Sequence, residues 1–174
     1  IEAVTGKLRA LGGNLGPGNW SLMSTGVYGT NGSSPELPSH LGAWAQNFMG
    51  WADLLSPADD ASIVLPPIEE GGIALNFRFQ GESSTEHFLI ENRQRMGFDA
   101  RLPSTGLIIT LADEAAIGAR LSANSVNAGL TPGLRVVEAD GRYDLTKGVP
   151  AGGNAGDLSD PFPGASQVTA WNDE

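Results

Sequence analysis

The sequence feature that most constrains the fold is a segment, residues 72–80, in which apolar and polar side chains alternate. Ile73, Leu75, Phe77 and Phe79 occupy every second position, and the side chains between them are small or polar. Alternate side chains of a β-strand point to opposite faces, so a period of two residues is typical of a strand that buries one face. We therefore predict a strand here, with its large apolar side chains turned toward a core.

Short apolar runs elsewhere predict further strands. Each run is rich in β-branched or aliphatic residues and is bounded by glycine, proline or polar residues. The runs are residues 62–66, 86–92, 106–111 and 134–139. Residues 112–121 are instead predicted to form a short helix. Asp113 and Glu114 stand near its beginning, where negative charge stabilises the helix dipole.

Aromatic residues at helical spacing predict an amphipathic helix. Leu41, Trp44, Phe48 and Trp51 are three, four and three residues apart, which places them on one face of an α-helix. Serine caps helix N-termini well, so Ser39 is the predicted N-cap. We expect the aromatic face of this helix to be buried against the core.

Together these elements predict an α+β fold with a largely antiparallel sheet, one amphipathic helix and long loops rich in glycine and aspartate. The 174 residues, of which 40% are apolar, are enough for a single domain or for part of a larger one. Residues 140–164 lack periodicity and are predicted to form an acidic, glycine-rich loop.

Charge and cysteine content exclude several classes of function. Ten Lys and Arg residues are scattered among 20 Asp and Glu residues, which gives a net charge of −10 and no basic stripe. Neither nucleic acid nor an anionic membrane is therefore an expected partner. No apolar run approaches the roughly 20 residues that span a bilayer. The lack of cysteine excludes disulfides and thiolate ligands, and it favours a bacterial protein that is secreted or displayed at the cell surface.

The candidate catalytic residues are few. His40 and His87 are 47 residues apart in different predicted elements, and the HExxH motif is absent from the sequence. A catalytic zinc ion usually needs three protein ligands, so we predict neither zinc ligands nor catalytic residues in this chain. A Ser-His-Asp triad stays open, because triads form in space rather than in sequence. The acidic pairs at residues 59–60 and 69–70 are interpreted as solvated surface, with paired-carboxylate chemistry as the alternative.

The acidic loop is a candidate calcium site. Asp140, Asp144, Asn154, Asp157 and Asp160 lie within 21 residues, with several glycines among them. Calcium binds six to eight oxygen atoms, and glycines allow one loop to wrap around an ion. The alternative is that these side chains stabilise turns and cap helices.

Four segments, in the same order along the chain, resemble those of a known family. They are GNWSLMSTG (residues 18–26), PSHLGAWAQNFMGW (38–51), FLIENRQRMGFDARLPSTGLII (88–109) and VVEADGRYDL (136–145), the last followed by GDLSDPFPG (156–164). The family is that of the immune inhibitor A-like secreted bacterial zinc metallopeptidases.

The resemblance implies that the chain is the C-terminal part of a metallopeptidase catalytic domain and follows the HExxH helix. The chain begins with Ile1 rather than methionine, and we interpret it as a piece of a longer protein. The zinc ligands would then belong to the upstream half of the same protein, and the substrate would be a protein or peptide. Met23 would occupy the place of the Met-turn methionine, as a hydrophobic floor beneath the metal.

One departure from the family supports other functions. Many relatives carry an aromatic residue followed by His or Tyr at the end of the strand that contains Leu111, and an aliphatic side chain cannot stabilise an oxyanion. The alternative function is therefore a non-catalytic, peptidase-like module for cell-surface assembly or binding. An independent enzyme of another class is the third hypothesis.

Overall fold

The computed structural model describes residues 14–29, 35–78, 80–81, 83–128, 131–147 and 151–172. These residues form a five-stranded sheet, three short α-helices and several 3₁₀ helices, so the predicted α+β class is confirmed. The helices are α1 (Ala43–Phe48), α2 (Ile68–Gly71) and α3 (Glu114–Arg120), and the strands are β1 (Asp53–Leu55), β2 (Ile73–Phe77), β3 (Glu86–Arg93), β4 (Gly106–Asp113) and β5 (Leu134–Val137).

The sheet is mixed, with the spatial order β1-β2-β3-β4-β5. The three pairs from β2 to β5 are antiparallel, whereas β1 runs parallel to β2. The longest ladder joins β3 to β4, with Glu86 opposite Asp113 at one end and Arg93 opposite Gly106 at the other. The prediction of a largely antiparallel sheet is therefore confirmed, and β1 is the parallel exception.

One face of the sheet, called the helix face here, is covered by the three helices. Ala74, Leu89 and Ala112 lie on this face in β2, β3 and β4, and all three are buried. They pack against one apolar side chain from each helix: Ala43, Ile68 and Ile117. Small residues in two of the three strands let these short helices approach the sheet closely.

The opposite face, called the tail face here, is covered by the C-terminal segment. Phe88 and Ile109 pack with Phe162, and the ring centroid of Trp171 lies 4.6 Å from that of Phe88. Residues 151–172 contain neither α-helix nor β-strand longer than an isolated bridge, yet they form a layer of the core. A segment without regular structure therefore covers part of this face through a few apolar side chains.

The predicted strand at residues 72–80 is confirmed over β2. Ile73, Leu75 and Phe77 lie together on the tail face, as the alternation requires. Phe79 lies outside the described residues. The other predicted strands in residues 86–139 are also present, as β3, β4 and β5.

One of the predicted strands is absent. Residues 62–66 form no strand, and Val64 is 96% exposed. Pro66 ends this run and Pro67 follows it, and both lack the N–H groups that a sheet ladder requires. The chain instead enters α2, for which Pro67 stands at the N-cap.

The aromatic helix is shorter and more exposed than its spacing predicted. α1 ends at Phe48, and β1 begins five residues later. Trp44 packs against the core, but Phe48 is 63% exposed and Trp51 64% exposed, so the aromatic face is not buried as a whole. Gly50, with φ of +72°, has a left-handed conformation that a continuing α-helix cannot contain.

Two predictions about the beginnings of helices had different outcomes. The N-cap of α1 is Gly42, so the prediction for Ser39 was wrong; the Ser39 hydroxyl donates instead to the backbone oxygen of Asn19 at 2.6 Å. For α3, the Asp113 side chain accepts hydrogen bonds from the backbone N–H groups of Ala115 and Ala116 at 3.0 and 3.2 Å. The predicted acidic start of α3 is therefore confirmed.

Among the described residues, no helix combines the length and the hydropathy that crossing a bilayer would require.

We expect Leu89→Ala to destabilise the fold by about 2–5 kcal/mol, because the side chain is fully buried between the sheet and the helices. Val64→Ala is the matched control, since a side chain that is 96% exposed should change stability by less than about 0.5 kcal/mol. Urea unfolding followed by tryptophan fluorescence measures both values. Similar losses in the two variants would contradict the assigned core.

Candidate functional site

The densest group of ionisable side chains surrounds Arg93 at the end of β3. The Arg93 guanidinium is fully buried and donates from Nε and Nη2 to Asp99 Oδ2, at 2.9 and 2.5 Å. Its Nη1 donates to Glu91 Oε1 at 3.3 Å and to the backbone oxygen of Trp20 at 2.5 Å. Glu69 Oε1 lies 3.4 Å from Nε. These four side chains, Arg93, Glu69, Glu91 and Asp99, are called the Arg93 cluster below.

Separate elements bring the members of the Arg93 cluster together. Glu91 and Arg93 are two residues apart on β3, so both side chains point to the helix face. Glu69 comes from α2, and its Oε1 also accepts a hydrogen bond from the Gln94 backbone N–H. Asp99 comes from the 3₁₀ helix Gly97–Arg101, and its Oδ1 accepts from the backbone N–H of His40 at 2.7 Å.

The cluster holds three carboxyl groups against one guanidinium. Glu69 Oε2 and Glu91 Oε2 are buried and have no hydrogen-bond partner among the described residues. Burial raises the pKa of Glu91 to about 7, against the opposing effect of the Arg93 charge. Burial also raises the pKa of Glu69 to about 7, and the neighbouring Asp99 carboxyl acts in the same direction. The cluster therefore contains carboxyl groups that exchange protons near neutral pH.

The sequence patterns did not indicate this cluster. The interpretation of Glu69 as solvated surface was wrong, because its side chain is only 3% exposed, whereas Glu70 is exposed as predicted. Asp59 and Asp60 are also exposed. A signal was present in β3, where a Glu and an Arg follow Leu89 at intervals of two residues and therefore share its buried face.

His87 belongs to a separate hydrogen-bonded chain within the core. Its Nδ1 lies 2.6 Å from Asn76 Oδ1, and its Nε2 lies 3.0 Å from Glu114 Oε1. The same Glu114 oxygen accepts a hydrogen bond from Trp44 Nε1 at 2.9 Å. Since an amide and a carboxylate engage both ring nitrogens, His87 links α1 and α3 to the sheet. Among the residues that the structure describes, its ring nitrogens contact no serine, which a catalytic triad needs.

His40 is half-buried, and its ring packs edge-on against Phe98 with centroids 6.0 Å apart. Burial lowers its pKa, with the Asp99 charge opposing that effect. The structure does not bring His40 and His87 together at a metal site. In the ranges that the structure describes, no group of three or more His, Cys, Asp or Glu residues is arranged to hold a metal ion. These residues therefore do not fit a zinc ion.

Met23 is presented at the surface by a firmly held segment. Trp20 and Thr25, which lie on either side, are buried at the ends of two 3₁₀ helices, but Met23 is 73% exposed. The Thr25 hydroxyl donates to Asn19 Oδ1 at 3.0 Å, and the Leu22 backbone N–H donates to the His40 oxygen at 3.0 Å. Met23 is thus exposed although Ser21 and Thr25, two residues away on either side, are buried.

The last part of the acidic loop satisfies its carboxylates with protein donors. Asp160 is buried, and its Oδ2 accepts from Trp20 Nε1 at 2.8 Å and from the Asp157 backbone N–H at 2.9 Å. Burial raises the pKa of Asp160 to about 7, although the Trp20 hydrogen bond opposes the shift. Asp157 accepts from the Ser159 N–H at 2.7 Å and from Asn154 Nδ2 at 2.9 Å.

The first part of the loop is arranged in the same way. Asp140 accepts from the Arg142 backbone N–H at 3.0 Å, and Asp144 forms an ion pair with Lys147 at 3.0 Å. The candidate calcium ligands therefore face amide and ammonium groups, which supports the alternative of turns and caps. This arrangement does not fit a calcium ion, and calcium binding here stays a prediction that requires rearrangement of these side chains.

An open groove with a volume of about 560 Å³ lies at the β2 side of the tail face. Leu75 and Phe77 line it from the sheet, and Ile63 and residues 57–61 line it from the loop before α2. Its titratable lining groups are the exposed Asp59 and Asp60. This lining provides a place for an apolar group to bind but no base, nucleophile or metal ligand beyond those two carboxylates.

Comparisons with protein-family models, with curated proteins and with solved structures found no match. The resemblance to the immune inhibitor A-like family therefore rests on the four sequence segments alone.

We expect Arg93→Leu to destabilise the fold by about 3–5 kcal/mol, because it leaves buried carboxyl groups without their cation. Arg142→Leu is the control, since its side chain is 68% exposed and such ion pairs contribute less than about 1 kcal/mol. Urea unfolding of both variants measures the difference. If Arg93→Leu were as stable as the control, the cluster would not hold the fold together.

We expect a calcium chelator to leave residues 140–164 unchanged in limited proteolysis, because protein donors already contact the acidic side chains described there. Cleavage sites and rates would be compared by mass spectrometry with calcium added and with calcium removed. Faster cleavage within this segment after calcium removal would instead support the calcium prediction made from the sequence.

Proposed function

We propose that this chain is the C-terminal part of a secreted zinc metallopeptidase-like unit, with the zinc ligands in the upstream half of the same protein. The four sequence segments and their order along the chain support the proposal. When bound, the zinc ion would activate water for attack on a peptide carbonyl. The residues of this chain would support the metal-binding half and shape the surface that meets a peptide.

The observation that carries the proposal is the exposure of Met23, which lies between the buried residues Ser21 and Thr25. Single exposed apolar residues are common on protein surfaces. Here, however, the exposed methionine stands at the position where the resemblance implies a hydrophobic floor beneath zinc ligands. An apolar side chain on a fixed backbone suits that role, since it offers a surface without competing as a strong ligand.

Hydrogen bonds from three directions hold residues 19–25, called the Met23 segment here, in place. Arg93 donates to the oxygen of Trp20 from the sheet, and Ser39 donates to the oxygen of Asn19 from the loop before α1. The backbone N–H of Gly42 donates to Ser21 Oγ at 3.4 Å. A floor beneath a metal site needs such support, because a displacement of about 1 Å can lower catalytic rates severely.

The second candidate function is a non-catalytic binding module, and Leu111 favours it. Its side chain packs with the apolar cluster of Phe88, Ile109 and Phe162, so this position offers neither a hydrogen-bond donor nor a charge to a reacting oxyanion. The exposed rings of Phe48 and Trp51 suit a surface that binds another protein.

The two functions are distinguished with the natural full-length protein. For the metallopeptidase, we expect that protein to contain tightly bound zinc and to hydrolyse casein, with hydrolysis lost after chelation and restored by zinc. The isolated 174-residue chain should neither retain zinc nor cleave casein. Full-length protein that lacks both zinc and hydrolysis would favour the binding module, and zinc-dependent hydrolysis by the isolated chain would overturn both proposals.

In the full-length protein, we expect Met23→Ser to lower casein hydrolysis by about tenfold, because a hydroxyl replaces the apolar floor. The same change in the isolated chain should alter stability by less than about 0.5 kcal/mol, because Met23 is 73% exposed. Met49→Ser is the matched control, since this methionine is 52% exposed and lies outside the Met23 segment. Equal hydrolysis by the two variants would remove Met23 from the proposed site.

A further inference from the structure

We infer that the Arg93 cluster is a proton-binding site, and that loss of its protons loosens the segment that carries Met23. The inference rests on the geometry and charge of the cluster, and it holds whether the protein is a peptidase or a binding module.

The charge balance of the cluster requires an additional cation. Its four side chains are between 0% and 3% exposed, and they comprise three carboxyl groups and one guanidinium. With all three ionised, two negative charges would remain uncompensated in a region that excludes water, which is strongly unfavourable. Glu69 Oε2 and Glu91 Oε2, which lack partners among the described residues, mark where that charge would accumulate.

Neighbouring groups in the described part of the chain do not supply this cation. His40 contributes its backbone N–H to Asp99, but burial lowers the pKa of its ring, which is therefore neutral near pH 7. The backbone N–H of Gln94 donates to Glu69, and the backbone N–H of Ala43 donates to Glu91. Both donors are uncharged. These four carboxyl and guanidinium groups do not form a metal site. Two bound protons, one on each glutamate, supply the missing positive charge without needing a cavity.

The cluster is joined directly to the Met23 segment. Arg93 Nη1 is shared between Glu91 and the backbone oxygen of Trp20. The Asp99 carboxylate accepts a hydrogen bond from the backbone N–H of His40. The backbone oxygen of His40 in turn accepts a hydrogen bond from the backbone N–H of Leu22. When the glutamates ionise, their repulsion and their competition for the guanidinium weaken both connections.

The direction of the pH effect follows from the raised pKa values. Glu69 and Glu91 have an ordinary pKa of 4.5 and a pKa of about 7 in the folded protein. Between these values the folded state binds more protons than the unfolded state, so stability falls as the pH rises. The stability that protonation of these two glutamates contributes is fully present below their ordinary pKa. It is lost as the pH rises through their pKa in the folded protein.

Glutamine mimics a protonated glutamate, so Glu69→Gln and Glu91→Gln test the inference, with Glu70→Gln as the matched control. Glu70 is adjacent in α2 but exposed. Hydrogen exchange of the Leu22 amide, corrected for intrinsic exchange, reports on the attachment of the segment. In the wild type and in Glu70→Gln, we expect protection to fall about tenfold between about pH 5 and pH 8. Protection of the Leu22 amide should fall less over this pH range in Glu69→Gln and in Glu91→Gln.

Two results would overturn the inference. One is a pH dependence of Leu22 protection that is the same in Glu69→Gln, Glu91→Gln and Glu70→Gln. The other comes from the wild type alone and does not depend on folding of the variants. If ¹³C NMR of the side-chain carboxyl groups showed both Glu69 and Glu91 titrating below about pH 5, the cluster would hold no proton near neutral pH.

Discussion

The buried guanidinium of Arg93 is the interaction on which the rest of this structure depends. It connects β3 with α2, with the 3₁₀ helix Gly97–Arg101 and with the backbone of Trp20. A buried ion network is a weak source of net stability, because desolvation offsets the attraction between charges. Its geometry is nevertheless strict, since any displaced member leaves a buried charge unpaired. The network therefore fixes the positions of short elements whose own packing is slight.

The segment around Met23 is held between two layers of the molecule. On one side Arg93 donates to the Trp20 oxygen, and on the other Asp160 accepts from the Trp20 indole. Asp160 belongs to the C-terminal segment, whose Phe162 also covers the tail face of the sheet. The irregular C-terminal segment thus completes the core and anchors the segment on which both proposed functions depend. The carboxylates of Asp157 and Asp160 accept two hydrogen bonds from backbone amides and two from the side chains of Trp20 and Asn154.

How far the sequence predicted the structure depended on what each pattern reports. Alternation reports burial of one strand face, and it identified β2 because the tail face is apolar along that strand. Helical spacing of aromatic residues shows only that they would share a face if a helix formed. The predicted helix therefore did not extend beyond Phe48, because the left-handed conformation of Gly50 follows the end of α1. The parallel strand β1 was missed because its three residues are too short to show a period.

The sequence by itself determined the α+β class, most of the strands, the acidic start of α3 and the absence of cysteine chemistry, because these follow from local periodicity and residue type. Only the tertiary structure decided that Glu69 would be buried beside Arg93 while its neighbour Glu70 stayed in water. Burial and proximity arise from contacts between segments distant in the chain. They set the protonation of a carboxyl group, which residue type alone cannot do.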